Sequence, residues 1–230
     1  MGNFFKTVIC VLTALIVLAG AAFWGLAGLL PAVDIEDSLR PDAASQYFDD
    51  KGELIYTTAS EERRIPVSLD KMPKHLQEAF ISIEDARFYE HGGIDIRGTA
   101  RALVVTLTGG DVQGGSTITQ QLAKNLYFTQ EKKMERKVAE VFMAFALERD
   151  YSKNEILELY VNTIYFGNGY YCIKDASEGY FGKEPEDLTD YESTLLAGVP
   201  NAPSKYAPTV NLELAEKRQE QVVDRLVACG

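Results

Sequence analysis

The chain has 230 residues, room for one large domain or two small ones and enough to bury a core without metals or disulfides. At 46% hydrophobic, 10% aromatic and 25% charged it is too apolar for disorder, and 18 glycines and 8 prolines are too few for a collagen-like or low-complexity polymer. A formal charge of −11 argues against a surface that grips nucleic acid over its whole face, while leaving room for a local basic site that holds an anion. Only His75 and His91 are present, and Cys10, Cys172 and Cys229 stand far apart with no CxxC pair, so zinc-site spacing is absent. Cys10 falls inside an N-terminal apolar run, which leaves Cys172 and Cys229 as the pair to consider for a bridge in an oxidising compartment.

From Thr7 to Val33 there are 27 residues without a charge. The helix-compatible part, up to Pro31, would extend roughly 36 Å, enough to cross a bilayer. That length favours a retained anchor over a cleaved signal, whose apolar stretch runs about 7–15 residues, although Ala21 and Ala22 offer a cleavage point. Lys6, the one charge before the span, places the short N-terminus in the cytoplasm and the body outside. The expected organisation is a tip and anchor over 1–33, a polar linker over 34–46 and a folded body over 47–230.

Residues 47–57 read as two short strand-like pieces around an Asp-Lys-Gly turn, and Arg64-Ile65-Pro66-Val67 as another extended piece, giving a small β-containing lead-in. From Pro73 onward the period becomes helical. Leu76, Phe80 and Ile83 mark one face, Ile118 and Leu122 a second, and Val138, Phe142 and Phe145 a third. Ile156, Leu157, Tyr160, Val161 and Ile164 continue the pattern, Leu195-Leu196-Ala197 belong to a helix ended by Gly198 and Pro200, and a last amphipathic helix is expected over 212–228.

Three stretches carry chemistry. Glu84 and Asp85 end the 76–83 helix one step off its apolar face, where a carboxylate borders the core and is open to desolvation, the usual way a general base is tuned. The plainer alternative is a solvated helix end in which Asp85 or Glu90 pairs with Arg87. The glycine-rich Gly109–Gly115 stretch runs into Ser116-Thr117-Ile118-Thr119-Gln120-Gln121-Leu122-Ala123-Lys124-Asn125 without the Gly-Lys-Ser/Thr of a Walker A loop. Backbone N–H groups at such a loop-to-helix junction can still hold an anion, with Thr117, Gln121 and Lys124 on one face; a surface loop capped by Ser116 or Thr117 is the alternative. Lys124, Lys132, Lys133, Arg136 and Lys137 then concentrate positive charge in an otherwise acidic chain, although Arg136 and Glu140, at i and i+4, also suit a simple surface pair. Ser68-Leu69-Asp70-Lys71 fits a Ser-x-x-Lys pattern, but no Lys-Thr-Gly follows, and the match is chance.

Taken in order, Glu84-Asp85-x-x-Phe88-x-x-His91-x-Gly93, Gly114-Gly115-Ser116-Thr117-Ile118-Thr119-Gln120-Gln121-Leu122-x-Lys124-Asn125, Arg136-Lys137-x-x-Glu140 and Lys153-x-x-Ile156-Leu157-Glu158-x-Tyr160-x-Asn162 resemble the peptidoglycan glycosyltransferases of family 51. The resemblance covers roughly residues 45–228, including Tyr180-Phe181-Gly182-Lys183 and the Ala197–Ser204 segment. Cys172 stands where glycine is expected, Val161 where leucine is usual, and Asp175 and Ser177 vary an alanine-rich segment.

The resemblance implies a mainly α, lysozyme-like bilobal glycosyltransferase domain with an N-terminal transmembrane helix. It implies polymerisation of lipid II into β-1,4-linked glycan strands, with inversion at the anomeric carbon and release of undecaprenyl diphosphate. Glu84 would be the catalytic base, and Glu140 the catalytic carboxylate that orients cations or a metal. Asp85, His91, Ser116, Thr117, Gln120, Gln121, Lys124, Asn125, Arg136 and Lys137 would bind substrate. A divalent metal, Mg or Mn, is expected at the diphosphate, with no organic cofactor and its protein ligands unassigned. The expected partners are lipid II, the growing strand, the bacterial plasma membrane and cell-wall synthesis proteins, with no nucleic acid and the catalytic domain on the extracytoplasmic side. The chemistry is coherent: a glycosidase needs a second acid to protonate its leaving group, whereas a diphosphate leaves as a stable anion and mainly needs positive charge.

Overall fold

The structure, a computed structural model, describes residues 46–48, 54–57, 65–108, 114–127 and 134–229, together with isolated positions between 6 and 25. The chain divides into two compact units, Met1–Val33 and Asp34–Gly230. In the first unit Lys6, Cys10, Thr13, Ala14, Val17, Gly20, Ala21 and Gly25 are described, and each is helical. The rest of the expected span lies outside the described residues, and among those described no helix is long and apolar enough to cross a membrane.

The second unit opens with two short strands, β1 (Gln46–Phe48) and β2 (Leu54–Thr57), paired antiparallel with Gln46 opposite Thr57 and Tyr47 opposite Tyr56. Gln46, assigned from sequence to the linker, is thus already paired; the aromatic and β-branched residues around it suit a pleated ribbon. Everything else described is helical or loop. The helices are α1 (Lys74–Glu84), α2 (Ile96–Leu107), α3 (Ile118–Tyr127), α4 (Met134–Asp150), α5 (Lys153–Val161), α6 (Ile173–Phe181), α7 (Asp190–Gly198), α8 (Pro203–Tyr206) and α9 (Leu212–Cys229).

Helix α7 is the centre of one group. It is buried from Ser193 to Gly198 and packs against both α1 and α9, which also meet each other. Its start is fixed by a capping box in which the Thr189 side chain accepts from the Glu192 N–H while Glu192 reaches back to Thr189. At its end Gly198 lets α9 come close: a Cβ there would meet Arg218 Cγ at 3.0 Å. Helices α3, α4 and α5 form the second group, with α3 packed on both others. Phe80 of α1 joins the groups, meeting Tyr160 of α5 edge-on at 6.2 Å and Phe166 at 6.1 Å. Each of these fully buried rings contributes on the order of 1.5–3 kcal/mol by leaving water.

One expectation shifts. The buried face of α1 is Leu76, Ala79, Phe80 and Ser82, and Ile83 is only half-buried, because the helix turns its last residues toward a cleft rather than the core. The cysteine pair is not made: Cys172 is buried, Cys229 is exposed at the end of α9, and both are free thiols. Cys172 instead stands at the start of α6, its sulfur accepting from the Asp175 N–H at 3.4 Å. Ser177, another departure from the family pattern, is fully buried and donates to the Lys183 carbonyl at 2.6 Å.

Candidate active site

Glu84 is the last residue of α1, and at Asp85 the backbone leaves the helix with φ −157° and ψ 73°. The two carboxylates therefore point to different surroundings. Glu84 Oε2 accepts from Gln121 Nε2 at 2.7 Å, and the Gln121 carbonyl oxygen accepts from the Tyr160 hydroxyl at 3.3 Å. Glu84 Oε1 is buried with no hydrogen-bond partner among the described residues. Burial raises the Glu84 carboxyl above the usual range. The Gln121 hydrogen bond and the Arg218 charge partly offset that rise, and the neighbouring Asp85 adds to it.

Asp85 is 6% exposed. Its carboxylate oxygens lie 2.9 and 3.0 Å from His91 Nε2, and one accepts from the Ile118 N–H at 3.2 Å. The solvated pairing of Asp85 or Glu90 with Arg87 is not what forms. Arg87 instead grips Asp95, Nε at 3.2 Å and Nη2 at 2.6 Å, while Asp95 accepts the Gly98 N–H at 2.9 Å in the first turn of α2.

A cleft of about 990 Å³ opens beside Glu84. Glu84, Asp85, Ser116, Thr117, Gln120, Gln121, Lys124, Lys137 and Glu140, dispersed over three segments of sequence, all border it. Their roles in it differ. Thr117 and Gln120 form a reciprocal cap for α3: the Thr117 N–H donates to Gln120 Oε1 at 3.0 Å and the Gln120 N–H donates to Thr117 Oγ1 at 3.1 Å. Thr117 Oγ1 also donates to the Gly93 carbonyl at 2.6 Å. Lys137 Nζ reaches Glu140 Oε2 at 3.0 Å and Ser116 Oγ at 3.2 Å, while Glu140 is almost fully buried. Glu140 thus makes an i, i+3 pair with Lys137, and the expected i, i+4 pairing with Arg136 lies outside the described residues. Arg136 sits in the first turn of α4, with its side chain outside the described residues. His91 and the exposed Asn125 do not border the cleft. Lys132, Lys133 and positions 109–113 of the glycine-rich loop lie outside the described residues.

The structure adds residues that sequence reasoning passed over. Arg87, Arg101, Arg218 and Arg225 also line the cleft. Arg218, Gln221 and Arg225 recur at offsets of three and four on one face of α9, a signal present in the sequence but read only as amphipathicity. Among the described residues no group of three or more His, Cys, Asp or Glu side chains could hold a metal ion. Glu140, the expected metal-side carboxylate, is engaged with Lys137. Among the described residues the donor set does not fit a cation held by protein side chains alone, and the positive charge lining the cleft comes from lysine and arginine.

A desolvated carboxylate at a helix end thus opens on a large cleft lined by lysine and arginine in a mainly helical domain. The transglycosylase family matches residues 51–227, and the chain belongs to it, the peptidoglycan glycosyltransferases of family 51. It is 44% identical to penicillin-binding protein 1F of Bacillus subtilis over 221 residues, covering 96% of this chain and 30% of that one. It is 43% identical to penicillin-binding protein 1A of Escherichia coli over 202 residues, covering 87% of this chain and 24% of that one. The crystal structure of penicillin-binding protein 1A from Haemophilus influenzae matches with a TM-score of 0.43 and 25% identity, over 81% of this chain and 18% of that chain. The chain thus spans less than a third of the length of these relatives.

Proposed function

We propose that this chain is a membrane-anchored peptidoglycan glycosyltransferase that polymerises lipid II into β-1,4-linked glycan strands, with inversion at the anomeric carbon and release of undecaprenyl diphosphate, in bacterial cell-wall synthesis. The observation that carries the reading is Glu84: a carboxylate raised by burial, with one oxygen unpartnered, on the wall of a cleft that also holds Lys124 and Lys137. Glu84 takes the proton of the acceptor sugar hydroxyl as that oxygen bonds to the anomeric carbon of the growing chain. The bond from that carbon to the diphosphate breaks, and its electron pair leaves on the diphosphate. Lys124, Lys137 and Arg136 receive that charge, and Glu140 holds Lys137 in place. Ser116 and Gln121 are polar contacts at the same wall. Asp85 and His91 support the loop behind the base, and Thr117 and Gln120 the helix that faces it.

The domain reading is an anchor over 1–33, a linker over 34–46 and a lysozyme-like, bilobal catalytic body over 47–230 with a small β-containing lead-in. The body would lie outside the plasma membrane as a single-pass protein beside its lipid-linked substrates, which raises their encounter rate without new contacts. A Mg or Mn ion would come with the diphosphate oxygens, and no step of the proton transfer needs it. Cell-wall synthesis proteins are the expected partners, and nucleic acid is not.

Labelled lipid II tests the reading. Wild type extends it into polymer, and Glu84→Gln does not. Shortening of finished glycan without polymer formation would overturn it in favour of a hydrolase, and unchanged yield from Glu84→Gln in favour of a scaffold. A parallel reaction with chelator reads the metal.

A further inference from the structure

Gln121 has an amide whose two ends are chemically opposite, and only one orientation serves a carboxylate base. With the nitrogen toward Glu84 it donates at 2.7 Å; turned over, it would set one oxygen against another. An ionised Glu84 prefers the nitrogen, but a protonated Glu84 could equally donate to the turned-over oxygen, so Glu84 by itself does not fix the amide through its protonation cycle. The residue that breaks the tie is Tyr160, on α5, whose hydroxyl is 3.3 Å from the Gln121 carbonyl oxygen. Tyr160 is fully buried, its ring locked edge-on against Phe80. A phenol in that setting must place its proton on an acceptor.

We infer that Tyr160 is a positioning residue for catalysis: its hydroxyl holds the Gln121 amide with its nitrogen toward Glu84 Oε2, leaving Glu84 Oε1 as the oxygen that takes the substrate proton. The inference rests on Glu84 being the base. The direction of the relay is secure at any working pH, because burial, with the Glu84 and Asp85 charges, keeps the phenol protonated well above its usual range. Among the described residues, the charged and titratable groups that bear on Glu84 are Arg218 from α9, Asp85 at the end of α1 and Tyr160 from α5, with Arg87, Asp95, Arg101, Lys124, Lys137, Glu140, Asp224 and Arg225 on the same cleft. Tyr160→Phe alters none of their charges and removes only the proton that orients the amide.

The test is the pH profile of lipid II polymerisation by the full chain. Without the Tyr160 hydroxyl the amide samples its reversed state, which favours the protonated acid, so the acidic limb of kcat/KM moves to higher pH. Tyr160→Phe is expected to be about tenfold slower than wild type on that limb and to converge on it at alkaline pH, with KM unchanged. In a Gln121→Ala background Tyr160→Phe is expected to add nothing. A Tyr160→Phe profile that is scaled down evenly at all pH values, or a second loss in the Gln121→Ala background, overturns the inference. If the variant does not fold, slow exchange of the Gln121 side-chain amide protons in labelled wild type supports the relay, and exchange as fast as in an exposed amide overturns it. Activity retained by Glu84→Gln would instead remove the base itself; an inactive Glu84→Gln with an unmoved Tyr160→Phe profile removes the Tyr160 role alone.

Discussion

Asp85 accepts a hydrogen bond from the backbone N–H of Ile118 at 3.2 Å, so the carboxylate next to the proposed base holds the first turn of the helix that supplies that base with its donor, Gln121. His91 closes the arrangement from the other side at 2.9 Å. The conjunction of Glu84, Asp85 and His91 in one short motif thus has a mechanical meaning: the first faces the cleft, and the other two fix the helix opposite it.

Replacing Asp85 by Ala is expected to release the α3 end and leave buried donors unmet. The cost in stability should be about 1–3 kcal/mol, with a fall in kcat because Gln121 moves with its helix. Urea unfolding and polymerisation rates measured on one preparation check both. Wild-type stability with normal activity would show that Asp85 holds nothing.

Glu84 should set the acidic limb of the activity profile. Its folded carboxyl lies above the usual range, chiefly through burial, so the base forms only as pH rises past that range, and activity rises with it. The stability consequence has the opposite sign. At Glu84 the folded state binds the proton more tightly than the unfolded chain, so this group's contribution to stability is greatest at acidic pH and is lost as pH rises through the folded value. Glu84→Gln removes that loss. It should unfold at a higher temperature than wild type at neutral pH, with the gap closing in acid, while polymerising about 10²–10⁴-fold more slowly. Thermal melts across pH, paired with lipid II turnover, read both effects.

Lys137 is half-exposed, yet its ammonium is directed by Glu140 at 3.0 Å and Ser116 at 3.2 Å. Lys137→Met should slow polymerisation about 10²-fold through the loss of charge at the leaving diphosphate. Ser116→Ala should cost much less, because Glu140 still directs the lysine. A chain-length-resolved assay at saturating lipid II separates the effects, and equal losses in the two variants would argue against a leaving-group role for Lys137.

Tyr170 lies across the backbone of Gly179 in α6, where a Cβ would come within 2.2 Å of the ring, and its ring also meets Tyr180 edge-on at 5.0 Å. Gly179→Ala should therefore destabilise the protein by about 1–3 kcal/mol despite its better helix propensity. Adding Tyr170→Leu should recover much of the loss, and melting temperatures of the two variants check it. A stabilising Gly179→Ala would mean that the ring moves aside freely.

Much of this protein is written locally. The helical periods from Pro73 onward appear as helices, Pro73, Gly182, Gly198 and Pro203 fall at their ends, and Glu84 is marked as a candidate base by its place one step off an apolar helical face. The cap at Thr117 is equally local: the sequence offers it beside the anion site, and the structure adds Gln120 as its partner. What could not be read is which side chains meet across distance. Gln121 joins Glu84 over 37 positions and Tyr160 over 39, and Arg218 reaches the cleft only because α9 lies on α7 at Gly198. Periodicity reports that a face is buried, not what buries it; the partner, and hence the burial and charge that tune a carboxylate, exists only once the helices have packed.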